Sequence, residues 1–195
     1  MQEKTVRDSR YEQRLVARFQ AGEAEALGAL FELHMDRVFT YASHILGNRD
    51  DAEEVTSEAF LRAFERASGY RGECAFRGWL FGITRNLCLD RLRQPRLLLL
   101  EPEFAEQQHD GGLGSRRMET QVLVQAALRE LSDEHRMILL LCDVEEWDAR
   151  EAALALEKTV AATKSLLYRA RRELRARMTE MLEEDEREEE TTDAL

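Results

Sequence analysis

The stretch from Asn48 to Arg93, NRDDAEEVTSEAFLRAFERASGYRGECAFRGWLFGITRNLCLDRLR, constrains the fold of this chain more than any other. Its first half sets Ala52, Val55, Ala59, Phe60 and Phe64 at helical spacing, and its second half does the same with Trp79, Leu80, Ile83, Leu87 and Leu92. The Asp50–Asp51 pair opens the first helix, with Glu53 and Glu54 where the helix dipole favours acids. Ser68–Gly69 supplies its stop, and Pro95 ends the second helix. The two helices differ in charge. The first is acidic, whereas the second carries Arg77, Arg85, Asn86, Arg91 and Arg93 against one acid, Asp90, with aromatics at its start. An acidic face beside a basic, aromatic one suggests two partners, one basic and one an anion with flat bases.

The flanking sequence extends this pair into a module. Residues 1–10 are polar and read as frayed. A helix follows from Tyr11 to Ala21 with Leu15, Val16 and Phe19 inward, then a long one from Glu23 to Leu46 with Leu27, Leu30, Phe31, Val38, Phe39, Ala42, Ile45 and Leu46 on its buried stripe. Residues 11–94 are thus expected to form one helical domain with its own core. Residues 95–117 hold both prolines and read as a flexible linker, long enough to span up to roughly 80 Å when extended. Leu97 to Leu100 is apolar for a solvated linker and is expected to pack on a module.

A second module is expected over residues 118–178. Val122, Leu123, Ala126, Ala127 and Leu131 mark its first helix, and Met137 to Leu141 lie in its second. Asp148 and Glu151 form a capping-box pattern opening a short helix to Leu156. Thr159 then caps a last helix with Val160, Thr163, Leu167, Ala170, Leu174 and Met178 inward. A short helix, a tight turn and a basic helix make the helix-turn-helix plan. The fold class is therefore all-α: two helical modules joined by a flexible linker, the second a helix-turn-helix.

Net charge, −11, is the reverse of a nucleic-acid binder's footprint, but its distribution is uneven. From Lys158 to Met178 seven basic residues face one acid; residues 179–195, an acidic tail, hold nine acids and one arginine. Composition predicts a disordered, solubilising tail, the alternative being a fold-back onto the basic helix. Cys74, Cys88 and Cys142 form no CxxC motif and fit free thiols in a reducing cytoplasm, Cys88 as a core residue. No cysteine–histidine spacing suits a metal, and no nucleophile–base pairing or phosphate loop points to an enzyme. No cofactor, no metal, no catalytic residue and no membrane span are expected.

DAEEVTSEAFLRAF followed by FRGWLFGITRNLCLDRLR resembles the second conserved region of bacterial sigma factors of the extracytoplasmic-function type. Trp79-Leu80, Ile83, Arg85-Asn86 and Asp90 carry its most specific pattern. The run LRELSDEHRMILLLCDVEEWDAREAALALEKTVAATKSLLYRARRELR resembles the fourth region. The resemblance implies a sigma factor that directs RNA polymerase core to promoters and assists −10 melting. It implies that Asp51, Glu54, Ser57 and Glu58 meet the β′ clamp helices of the polymerase. Tyr70, Arg71, Phe76, Arg77, Trp79, Arg85 and Asn86 would read the −10 element as a single strand, for which stacking surfaces and a positive track are the right chemistry. Lys164, Ser165, Tyr168, Arg169 and Arg172 would contact the −35 element from one helix face. The linker would run through the polymerase cleft, and an anti-sigma factor is an expected partner.

Some positions depart from the family's pattern. Glu157-Lys158 stands where the turn has Gly and an apolar residue, Val160-Ala161-Ala162-Thr163 replaces the small-Gly-Thr-Val start, Leu166 replaces a basic residue, and Ser57 a glutamine. Two other readings compete: a stand-alone helix-turn-helix regulator, and a sigma-like interaction protein with weakened −35 recognition. The single-strand-reading motif speaks against the first, and the Glu157-Lys158 turn is the feature that speaks for the second.

Overall fold

A computed structural model describes residues 2–70, 72, 75–94 and 115–193, with side chains from residue 10 onward except at 68, 115–121, 185–186 and 188–193. Every regular element among them is a helix. The chain divides into two compact units, Met1–Ala105 with Arg150–Lys158, and Glu106–Ala149 with Thr159–Leu195. By contacts, Arg150–Lys158, inside the expected module of residues 118–178, group with the first unit. Arg71, Cys74 and Leu97 to Leu100, with most of the expected linker, lie outside the described residues.

In the first unit, α1 spans Gln2–Gln20, α2 Ala24–Leu46, α3 Arg49–Glu65 and α4 Phe76–Arg93, with a 3₁₀ turn at Ala67–Gly69. Helix α1 starts nine residues before the expected Tyr11, so the polar N-terminus continues the helix rather than fraying. It ends in a Schellman stop: Gly22 takes φ +84°, its N–H reaches the Phe19 carbonyl (2.9 Å), and the Glu23 N–H reaches the Arg18 carbonyl (3.1 Å). Gly47 closes α2 in the same left-handed conformation. Helix α3 is capped by Asn48, whose Oδ1 accepts from the Asp51 N–H at 2.8 Å, two residues earlier than the expected Asp pair.

The core of this unit is Leu15, Phe19, Leu30, Val38, Tyr41, Ile45, Val55, Phe60, Leu80, Phe81 and Leu87. The stripe of α3 runs through Ala52, Thr56, Ala59 and Ala63, not out to Phe64, which is 41% exposed. Each residue turns the helix by about 100°, so Phe64 lies well round from Ala63 at the stripe's centre. His34 and Tyr41, outside the expected stripe, are buried on α2. Cys88 is fully buried, and its thiol is pushed up to about 12 by loss of solvent.

The second unit holds α5 (Ser115–Glu130), α6 (Asp133–Leu139) and α8 (Val160–Asp193); α7 (Ala149–Ala155) belongs to the first. Helix α5 begins at Ser115, inside the expected linker. Helix α6 runs into a π turn over Leu140–Val144. Ala127, Leu131, Met137, Ile138, Leu141, Trp147 and Leu166 supply the core. The guanidinium of Arg136 donates to the carbonyls of Leu128 (2.8 Å), Arg129 (2.7 Å) and Leu131 (3.0 Å), closing the end of α5. Helix α8 is 34 residues long and continues unbroken through the acidic segment to Asp193. The expected disordered tail is helix, and its axis leads away from the basic turns instead of folding back over them.

Candidate nucleic-acid interface

The two ends of α4 make different surfaces. At its start, Tyr70, Phe76 and Trp79 form an aromatic cluster: Tyr70 and Trp79 are tilted at 5.0 Å between centroids, Tyr70 and Phe76 edge-on at 5.9 Å, Phe76 and Trp79 at 5.9 Å. Tyr70 and Phe76 are buried, and Trp79 keeps part of its surface exposed. Phe19 of α1 completes the cluster, edge-on to Phe76 at 5.5 Å and 6.4 Å from Trp79. Among the described −10 candidates, then, Trp79 offers partly open aromatic surface, while Tyr70 and Phe76 act through packing.

The polar candidates follow along α4. Arg77 pairs with Glu151 at 2.8 Å, Arg85 donates to the Asn86 carboxamide oxygen at 3.0 Å, and Asn86 donates to Glu157 at 3.4 Å. Between them Gly82 faces the backbone of α7, where a Cβ would stand in ordinary contact, 3.7 Å from the Ala155 carbonyl oxygen. Within the first unit, residues 150–158 therefore lie along α4, with carboxylates on two of the residues expected to meet DNA. No feature of sequence alone marks Glu151 or Glu157 as partners of α4.

The acidic candidates on α3 are also engaged. Arg91 reaches Asp51 at 3.4 Å and pairs with Glu54, while Glu58 holds Arg62 at 2.6 Å and the Ser57 hydroxyl donates to the Glu53 carbonyl at 3.0 Å. Ser57 and Glu54 remain exposed, and Asp51 and Glu58 partly so. Arg91 thus ties the acidic helix to the basic one, a bridge that spacing within either helix could not reveal.

The −35 candidates share one open face. Lys164, Ser165, Tyr168, Arg169 and Arg172 are all exposed, Tyr168 at 68%, and Thr163, Leu166 and Ala170 fill the opposite, buried side. Leu166 is a core residue at 2% exposure, so a basic side chain at this position would point inward in this chain. Val160, expected inward, is exposed. Thr159 caps the helix as expected, its Oγ1 accepting from the Ala162 N–H at 3.2 Å. Arg171, seven residues on from Lys164 and also exposed, borders this face and pairs with Asp143. The turn before α8 forms without glycine: Glu157 takes φ +54°, its N–H meets the Leu154 carbonyl (3.2 Å), and the Lys158 N–H meets that of Ala153 (2.9 Å). This is the same Schellman geometry that Gly22 provides on α1.

The helices of the described residues make a fold of the sigma-factor class. Two solved structures share it: CnrH in complex with the cytosolic domain of CnrY (TM-score 0.65, 23% identity, 89% of this chain and 98% of that one) and the sigma factor RpoE with the anti-sigma factor NepR from Bartonella quintana (TM-score 0.65, 19%, 78% and 96%). The Sigma-70 region 2 model matches residues 30–96 and the Sigma-70, region 4 model residues 121–174, together more than half of the chain. Relatives include the ECF RNA polymerase sigma factors SigE of Mycolicibacterium smegmatis (32% identical, 79% of this chain), BldN of Streptomyces coelicolor (35%, 86%) and SigM of Mycobacterium tuberculosis (29%, 86%). The chain spans 63% of the length of SigE and 66% of BldN, a little under two thirds of each, and 85% of SigM. The chain belongs to the family of extracytoplasmic-function sigma factors. Among the described residues no helix is long and apolar enough to cross a membrane.

Proposed function

We propose that this chain is a non-catalytic promoter-specificity subunit, which directs RNA polymerase core to promoters and assists −10 melting in the cytoplasm. The observation that carries the reading is the occurrence of both sigma regions in order on one chain, with an open basic face on α8. In this reading the exposed acids of α3 dock on the polymerase clamp helices, where charge complementarity favours encounter with a basic partner. Trp79 and the arginines of α4 engage the −10 strand by stacking and phosphate contact. Lys164, Arg169 and Arg172 meet the −35 duplex, with Ser165 and Tyr168 adding phosphate or shape contacts. An anti-sigma factor is the expected regulator, because both solved relatives were captured with one or with a partner's cytosolic domain. The Glu157 turn gives no reason to prefer the reading with weakened −35 recognition, since the stop forms with glycine-like geometry.

The test is transcription reconstituted from the full chain and polymerase core on a promoter library scanned at the −10 and −35 positions. Core plus chain is expected to initiate at a sequence-defined subset that core alone ignores. Lys164→Ala with Arg169→Ala should weaken dependence on the −35 element by about 1–3 kcal/mol for each base interaction removed, while leaving core binding intact. Tight duplex binding by the chain alone, with no promoter selection in the presence of core, would establish the stand-alone regulator instead.

A further inference from the structure

The end of α1 reaches the point where the chain leaves the 3₁₀ turn for the segment before α4. The Gln20 side chain donates from Nε2 to the Tyr70 carbonyl oxygen at 2.6 Å, across fifty residues of sequence. Its neighbour Phe19 is 1% exposed and wedged against Phe76 and Trp79. The helix end that presents both residues is itself fixed. The Schellman stop at Gly22 closes it, and Arg18 clasps Glu23 at 2.7 Å across the turn. Tyr70 is therefore held twice, its ring by Phe76 and Trp79 and its carbonyl by Gln20. A peptide group is planar, so fixing that carbonyl fixes the orientation of the Tyr70 backbone.

We propose that Gln20 is a positioning residue for base selection in the −10 element: its amide orients the Tyr70 peptide, and with it the aromatic cluster that the strand meets at Trp79. This rests on the reading of α4 and its preceding segment as the −10 reader. Gln20 itself touches no nucleic acid in this proposal. Its side chain is exposed apart from this bond, so little of the core depends on it. A donor, not merely a side chain of that length, is what the carbonyl requires.

The experiment uses the full chain with polymerase core on a library scanned at every −10 base, and compares Gln20→Glu, which has no donor, with Gln20→Lys, which keeps one at similar reach. A graft replacing residues 70–76 runs alongside to test the underlying reading. Gln20→Glu is expected to compress the ratio between preferred and least preferred bases by about threefold to tenfold, the worth of one neutral hydrogen bond. Its core affinity should match the parent, its thermal midpoint should fall by no more than the loss of one hydrogen bond explains, and Gln20→Lys should restore the parent profile. If the graft shifts the profile and Gln20→Glu does not, the role of Gln20 is refuted and the −10 reading stands. If the graft leaves the profile unchanged, the reading and the inference fall together. A uniform loss across the library, with the ratios between bases unchanged, makes Gln20 a structural residue and also overturns the proposal.

Discussion

Glu157 holds a backbone conformation that a side chain with a Cβ enters only at a cost. At φ +54° it closes α7 in the left-handed region, which disfavours ordinary L-residues by roughly 1–2 kcal/mol. The family pattern flags the position as a departure but is silent on whether the turn survives, because the stop depends on backbone angles and two hydrogen bonds. It survives, and its strain remains. Glu157→Gly is therefore expected to stabilise the protein by up to about 1 kcal/mol, the relief of strain being partly offset by the greater freedom of glycine in the unfolded chain. The hydrogen bond from Asn86 that this substitution removes is long and exposed, so it subtracts little. Urea unfolding checks this, with Glu157→Ala as control: the alanine keeps the Cβ and should show no such gain. Equal midpoints for the glycine and alanine variants would show that the left-handed angle is not what limits this turn.

At the scale of elements, what sequence leaves out is how helices are tied to each other. Periodicity locates each helix of the first unit and most of its core, yet it passes over His34, Tyr41 and Arg91. Histidine, tyrosine and arginine are discounted in an apolar stripe, whereas their burial or pairing is decided by a partner on another helix. The clearest case joins α1 to α2: buried His34 meets Glu12 at 3.1 Å and lies against Phe76. That hydrogen bond, with help from the nearby charges of His34, Arg77 and Arg37, outweighs partial burial and holds the Glu12 carboxyl below its ordinary value of 4.5. A depressed carboxylate stabilises the fold above its unfolded value, and the contribution disappears as pH falls through the lower folded value. Stability from this link should thus be complete at neutral pH and lost below about 4.5. Glu12→Gln should destabilise the neutral protein and flatten that part of the acid-unfolding curve. Parallel acid-unfolding curves for parent and variant would count against Glu12 as the acid-sensitive tie. The exposed side of α8, by contrast, follows from spacing on a single helix, which settles that Lys164, Ser165, Tyr168, Arg169 and Arg172 point together, although its buried side takes in Leu166 and leaves Val160 exposed.

For the whole molecule, the opposing charges of α8 decide how a chain of net charge −11 could approach DNA. A folded-back acidic tail would compete directly with phosphate for Lys164, Arg169 and Arg172. A continuous helix prevents this, because the acids stay at their rise along the axis. At about 1.5 Å per residue, Glu183 stands roughly 16 Å beyond Arg172 and roughly 28 Å beyond Lys164. Both distances exceed the screening length of about 8 Å at physiological salt and lie within the roughly 30 Å reached at 0.01 M. Local pairs such as Arg177 with Glu180 (2.9 Å) and Arg187 with Glu183 (3.4 Å) further blunt the field of the acidic half. Deleting residues 182–195 should consequently change −35 duplex affinity less than about twofold near 0.15 M salt, with the truncated chain gaining an advantage only as salt falls toward 0.01 M. Fluorescence anisotropy of a labelled −35 duplex across a salt titration measures both regimes. A tenfold tightening at physiological salt would mean that the acidic half reaches the DNA face in solution, which the extended helix does not allow.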